Sequence, residues 1–129
     1  MRNFVSLFIL FSFSVIFSNA QDKINLNGLW KDSCGTYFSN CYAIISQDGN
    51  TISFSHYLEF KGQSFVETGK GELVGRTVKY AVKVTLQING WATEGVHELT
   101  LSEDGKTLRG NFTDNKGNSG FIVLKKFSS

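Results

Sequence analysis

The chain has 129 residues, of which 13 are Lys or Arg and 11 Asp or Glu, with 13 glycines, no proline and two cysteines. That length suits one domain and leaves no room for a second. A net charge of +2 with no basic stripe argues against nucleic-acid binding, and Lys125-Lys126 reads as a solvated strand end.

Residues 1–20 read as a signal peptide. Arg2 precedes an apolar run from Phe4 to Phe17 that is too short to span a bilayer comfortably. Ser18 and Ala20 then place small residues three and one positions before a cut after Ala20. The mature domain is expected over 21–129, secreted or periplasmic, with no membrane anchor. Gln21 rather than a cysteine would lead it, so a lipid anchor is not expected. Only Arg2 is lost among the charged residues, leaving a net charge of +1.

Turn residues punctuate the rest. Asp48-Gly49-Asn50, Lys61-Gly62, Val74-Gly75-Arg76, Asn89-Gly90, Asp104-Gly105 and Asn115-Lys116-Gly117 all tolerate the positive φ of tight hairpins. Between them the pattern has period two. Strands are predicted near 26–33, 40–47, 51–60, 63–73, 77–88, 91–101, 107–114 and 118–126.

After the first strand come Cys34 and Cys41, six residues between them; in an oxidising compartment they are expected to form a disulfide worth about 2.5 kcal/mol. Together with His56 and His97 they match no compact zinc spacing, so neither a metal nor a cofactor is expected. On the third strand Ile52, Phe54, Leu58 and Phe60 face inward against Ser53, Ser55 and Glu59. The fifth strand alternates Val78, Tyr80, Val82, Val84, Leu86 and Ile88 with Lys79, Ala81, Lys83, Thr85 and Gln87. Ser46-Gln47-Asp48-Gly49-Asn50-Thr51-Ile52 is echoed by Ser102-Glu103-Asp104-Gly105-Lys106-Thr107-Leu108, read as one hairpin chemistry used twice. Asn111-Phe112-Thr113 fits a glycosylation acceptor but falls within a strand, where an ordinary polar position is the simpler reading.

No segment between the turns can hold a crossover helix or the long connections of a Greek key. The expected fold is therefore all-β: an eight-stranded antiparallel up-and-down meander closed into a barrel, which removes both sheet edges. The charged stripe of the fifth strand looks solvated and favours a monomer.

The first strand, Gly28-Leu29-Trp30, together with the eight-strand meander, resembles the lipocalin and avidin (calycin-type) barrels. The resemblance implies that Trp30 plugs the barrel floor under a basic side chain from a late strand, for which Arg109, Lys125 and Lys126 are candidates. It extends to Asp32 and Gly35-Thr36, which match the avidin positions that hydrogen-bond biotin's ureido group, making Asp32 and Thr36 candidate ligand contacts. Where avidins wall their ligand with several tryptophans, this chain has only Trp91 beyond Trp30.

His56 and His97 share parity with apolar neighbours and are expected to point inward, either as satisfied core histidines or toward a ligand, unless a bulge at Gly95 turns His97 out. With Trp91 and Tyr42 they would give an aromatic interior with a few polar handles, the make-up of a small-molecule pocket. Against this, Tyr80, Phe54, Phe60, Phe65, Phe112 and Phe121 could fill so slim a barrel. Glu94 and Glu98 flank His97, with Glu98 on outward parity. No nucleophile elbow, HExxH pair or phosphate loop is present, so an enzyme is not expected. The leading expectation is a binder of a small, partly apolar ligand using Trp91, His56, His97, Tyr42, Asp32 and Thr36. The alternative is a packed barrel that binds or inhibits another protein through its outer face or loops.

Overall fold

The computed structural model describes residues 23–127; the expected signal peptide and its cleavage site lie outside the described residues. Eight strands follow in chain order: β1 Gly28–Asp32, β2 Phe38–Asp48, β3 Thr51–Phe60, β4 Gln63–Val74, β5 Thr77–Val84, β6 Glu94–Leu101, β7 Thr107–Asp114 and β8 Ser119–Lys126. Each pairs antiparallel with the next, and β8 returns to β1 through Trp30↔Lys126, Lys31↔Lys125 and Asp32↔Leu124, closing the barrel.

Trp30 is fully buried at the floor, its indole N–H donating to the Leu26 carbonyl at 3.0 Å. Of the three basic candidates it is Lys126 that covers the ring, with Nζ 5.5 Å from the centroid. Below Trp30 the segment before β1 crosses the floor, held by Gln47. That side-chain amide accepts from the Leu26 N–H at 2.8 Å and donates to the Ile24 carbonyl at 3.2 Å. Leu26, Ile45, Ile52, Leu73, Val78, Leu99, Leu108 and Leu124 fill this lower half.

Above them lies a layer made by Phe54 and Tyr80, whose rings stand 4.3 Å apart. Two inward glycines on β4 make room for it: Gly69 lies opposite Phe54 and Val82, and Gly71 opposite Ile52 and Tyr80. A Cβ on Gly71 would come within 2.0 Å of the Lys79 carbonyl oxygen and 2.5 Å of the Tyr80 Cβ. Large rings on two strands are thus matched by absent side chains on the strand between them, the alternation a narrow barrel needs.

Several expectations are corrected. β5 stops at Val84 and β6 begins at Glu94, so residues 85–93 form an irregular connection rather than continued strands. The ladder closes with Val84 N–H to Thr93 carbonyl at 2.8 Å. Beyond it Ile88 folds inward while Leu86 turns to solvent, 68% exposed. Burying Ile88 and Trp91 over the barrel end draws the chain out of the ladder, and Gly90 supplies the positive φ of 80° in that turn. Tyr42 faces outward: a β-bulge between Ser39 and Tyr42 leaves Cys41 and Ala43 on the inner face, and the Tyr42 ring packs on Phe127. Phe121 also lies outside, 84% exposed, because Ile122 and Leu124 take the inward parity of β8. The echoed hairpins differ in geometry. Asp48 pairs directly with Thr51, whereas Ser102 to Lys106 form a wider turn in which Asp104 accepts from the Ser102 hydroxyl and the Lys106 N–H.

Gly71→Ala is expected to lower stability by about 2 kcal/mol or more through overpacking. Gly35→Ala, where nothing lies within 4 Å of the added methyl, should change it by less than about 0.5 kcal/mol. Urea unfolding midpoints of the two variants check the pair.

Candidate functional site

The end of the barrel opposite the floor is open. It is bordered by the connections β1–β2, β3–β4, β5–β6 and β7–β8, and beneath them lies a cavity of about 150 Å³. Its walls are apolar, with Phe38, Leu58, Val82, Val84, Trp91, Phe112 and Ile122. Its inner surface is polar, with Asp32, His56, Glu67 and His97.

These four are the buried polar side chains among the described residues, and each comes from a different strand. Asp32 ends β1, His56 sits mid-β3 above Phe54, Glu67 follows Phe65 on the inner face of β4, and His97 stands on β6 opposite Tyr80. No bulge at Gly95 turns His97 out, since β6 stays in register with both neighbours through Gly95. His56 Nε2 lies 2.9 Å from Asp32 Oδ2, and Nδ1 lies 3.5 Å from Glu67 Oε2. Both contacts are ion-pair distances without hydrogen-bond alignment, so neither ring nitrogen of this buried imidazole has a directed partner. Glu67 also approaches His97 Nε2 at 3.9 Å and accepts from the Trp91 indole N–H at 3.2 Å.

His97 Nδ1 and the Tyr80 hydroxyl are 3.0 Å apart. The nearby Glu67 carboxylate selects the tautomer: a proton on Nε2 faces the negative charge, so Nδ1 accepts from Tyr80. Burial is the largest influence on Tyr80 and holds its pKa well above 10, with the Glu67 and Asp32 charges adding to it, so the phenol remains a donor.

The two histidines diverge. For His56, burial alone would lower the pKa, but Asp32 and Glu67 outweigh it and raise it to about 8. For His97, burial prevails over the Glu67 charge, His56 adds repulsion, and the pKa falls to about 4. Glu67 is itself lowered: burial pushes it up, but the two imidazoles and the Trp91 N–H overcome that. At neutral pH the cluster therefore holds the Glu67 carboxylate, an imidazolium on His56 and a neutral imidazole on His97, with Asp32 beside the imidazolium. Among the described residues no three His, Cys, Asp or Glu side chains are arranged to hold a metal ion.

Trp91 caps one side of the mouth, set among Phe38, Phe60 and Phe65 with ring centroids 5.0 to 5.4 Å away. Of the candidates read from the sequence, Trp91, His56, His97 and Asp32 converge here. Thr36 does not, being exposed in the β1–β2 connection, and Tyr42 lies on the outer wall. The residue that sequence reasoning missed is Glu67. Its signal was available, since Glu67 shares inward parity with Phe65 and Leu73, flanked by the outward Val66 and Thr68.

Cys34 and Cys41 are free thiols rather than the expected disulfide. They share the apolar cluster under Trp91, Cys41 buried and Cys34 half-exposed at the cavity wall. Burial first, and then the neighbouring Cys34 thiol, push Cys41 up to about 12, which keeps it protonated and unreactive. The closed eight-stranded antiparallel barrel is compatible with a calycin-like fold. No family model matches the chain, and no curated protein matches its sequence.

Native alkylation with iodoacetamide is expected to add one label, at Cys34, and a second only after unfolding. A mass two hydrogens low with no label would place a disulfide there instead. The titrations give a second expectation. His56 binds its proton more tightly folded than unfolded, so a contribution of about 2 kcal/mol is complete below pH 6.5 and fades as pH rises through about 8. His97 acts in reverse, and stability falls by about 3 kcal/mol as pH drops from 6.5 toward about 4; the lowered Glu67 adds to the loss in acid. Urea midpoints should peak near pH 6.5, and a flat profile between pH 5 and 9 would refute the charge assignment.

Proposed function

We propose that this protein is an exported calycin-type barrel that binds one small, partly apolar molecule at its open end. The observation that carries the reading is the buried polar cluster beneath an apolar-walled cavity of about 150 Å³. A packed core has no use for two histidines and two carboxylates, and burying them costs free energy that a purely structural role does not recover. A cavity of that size accommodates a molecule about as large as benzene, and aromatic walls with convergent polar groups are what small-ligand sites present.

The carboxylate and histidine needed for acid–base chemistry do meet, as Asp32 and His56. The one hydroxyl bonded to either histidine among the described residues, however, is that of Tyr80, held protonated well above pH 10. Among the described residues no thiol or other hydroxyl is bonded to either histidine, so binding rather than turnover is the reading supported.

A second reading rests on the outer wall. Leu29 and Ile44 are cross-strand partners, and Tyr42, Tyr57 and Val66 form a row across β2, β3 and β4, all at least partly exposed. Such a patch favours a protein partner. The cavity is the stronger case because its polar groups are buried and under-satisfied.

Trp30 is sealed in the floor, so a Trp30→Phe variant leaves Trp91 as the fluorescent reporter. Fragment-sized aromatic ligands are expected to change its emission saturably, and Ala92→Phe, which fills the mouth without adding a second indole, should abolish the change. Native mass spectrometry of wild type purified mildly from its host should show a stoichiometric small molecule. No bound mass and no saturable fragment would sink the proposal.

A further inference from the structure

The cavity's charge is one-sided. Four of its lining residues are acidic, Asp32 and Glu67 within and Glu94 and Asp114 at the rim, and none is Lys or Arg, in a chain whose overall charge is positive. Its hydrogen-bonding capacity is equally one-sided. Among the described residues the Asp32 carboxylate faces only the His56 ring, at 2.9 Å, and Glu67 faces the two imidazoles and accepts from the Trp91 N–H, while neither His56 nitrogen is aligned for a hydrogen bond. Two carboxylates offer about eight acceptor positions, more than the N–H groups of His56, His97 and Trp91 that face them can fill.

From this asymmetry of charge and acceptors we infer that the ligand is a small organic ammonium cation, a primary amine on an apolar body about the size of one aromatic ring. The inference rests on the small-ligand reading and names the chemical class for that same site. The ammonium donates to Glu67 and Asp32, where net negative charge is buried and unscreened. The apolar body lies among Phe38, Trp91, Phe112 and Val82, where aromatic faces also favour a cation.

His56 acts as the internal competitor. It faces Asp32 from β1, Glu67 from β4 and His97 from β6, shares the cavity with the apolar Val82 from β5, and has the apolar Ala43 opposite it on β2. Its imidazolium occupies part of the field that an ammonium would use. An arriving cation therefore disfavours the His56 proton, and the neutral ring left behind can accept an ammonium N–H. Amine affinity should rise as pH increases from 6.5 through about 8, the range in which His56 loses its proton.

Calorimetric titration of the mature protein with benzylamine, benzyl alcohol and benzoate, which share a ring and differ in charge, tests this. Benzylammonium is expected to bind at least tenfold more tightly than benzyl alcohol, with benzoate weakest. Glu67→Gln should lose at least tenfold for the amine and little for the alcohol. Amine binding at pH 7 should release protons, read from buffers of different ionisation enthalpy, and the release should vanish in His56→Gln. Equal or tighter binding of the alcohol or of benzoate would overturn the amine assignment and leave the cavity as a ligand site. Failure of all three to bind would overturn both. The comparison of the three probes needs only wild-type protein, so it stands even if a variant does not fold.

Discussion

The structure turns on the contact between Phe54 and Tyr80, whose rings meet in the lumen over β4 with centroids 4.3 Å apart. An eight-stranded barrel has an interior only wide enough for side chains or one small ligand. Two aromatic rings from next-but-one strands fit there because β4 passes between them with Gly69 and Gly71 turned inward. The stack divides the molecule. Below it aliphatic side chains and Trp30 pack the lumen, and above it the same inward parity continues with His56, Glu67 and His97.

That division explains how so small a protein can afford four buried polar groups. Stability is concentrated in the lower half, where closure of β8 on β1, the Gln47 clamp and the Lys126 cover over Trp30 hold the floor shut. The upper half is then free to carry a cluster whose electrostatics are unbalanced. Each member tunes another: the carboxylates hold a proton on His56, that charge and burial strip one from His97, and Tyr80 completes the neutral ring's hydrogen bond. Opposite shifts in neighbouring imidazoles mark a site arranged around charge.

The irregular connection between β5 and β6 is the other element on which the site depends. By leaving the ladder after Val84 it carries Trp91 over the mouth, where one indole meets three phenylalanines and donates to Glu67. The bulge in β2 has a comparable effect, setting Cys41 beside Cys34 beneath the same aromatic cluster.

The sequence by itself determined the architecture. Period-two alternation and recurrent glycine turns encode strands and hairpins through local sterics, and eight such strands without long connections have one simple closure. The same parity placed His56 and His97 inside, while the floor position of Trp30 was read from the resemblance of the first strand to calycin-type barrels. Only the tertiary structure decided which polar groups meet. Asp32, His56, Glu67 and His97 are brought together by register around the closed barrel, and register depends on every pairing at once. Glu67 went unread because one inward carboxylate has meaning only beside its imidazoles. Tyr42 and the stretch 85–93 were misread because a bulge and a half-buried tryptophan at the mouth override local alternation, and both are settled by what packs across the barrel.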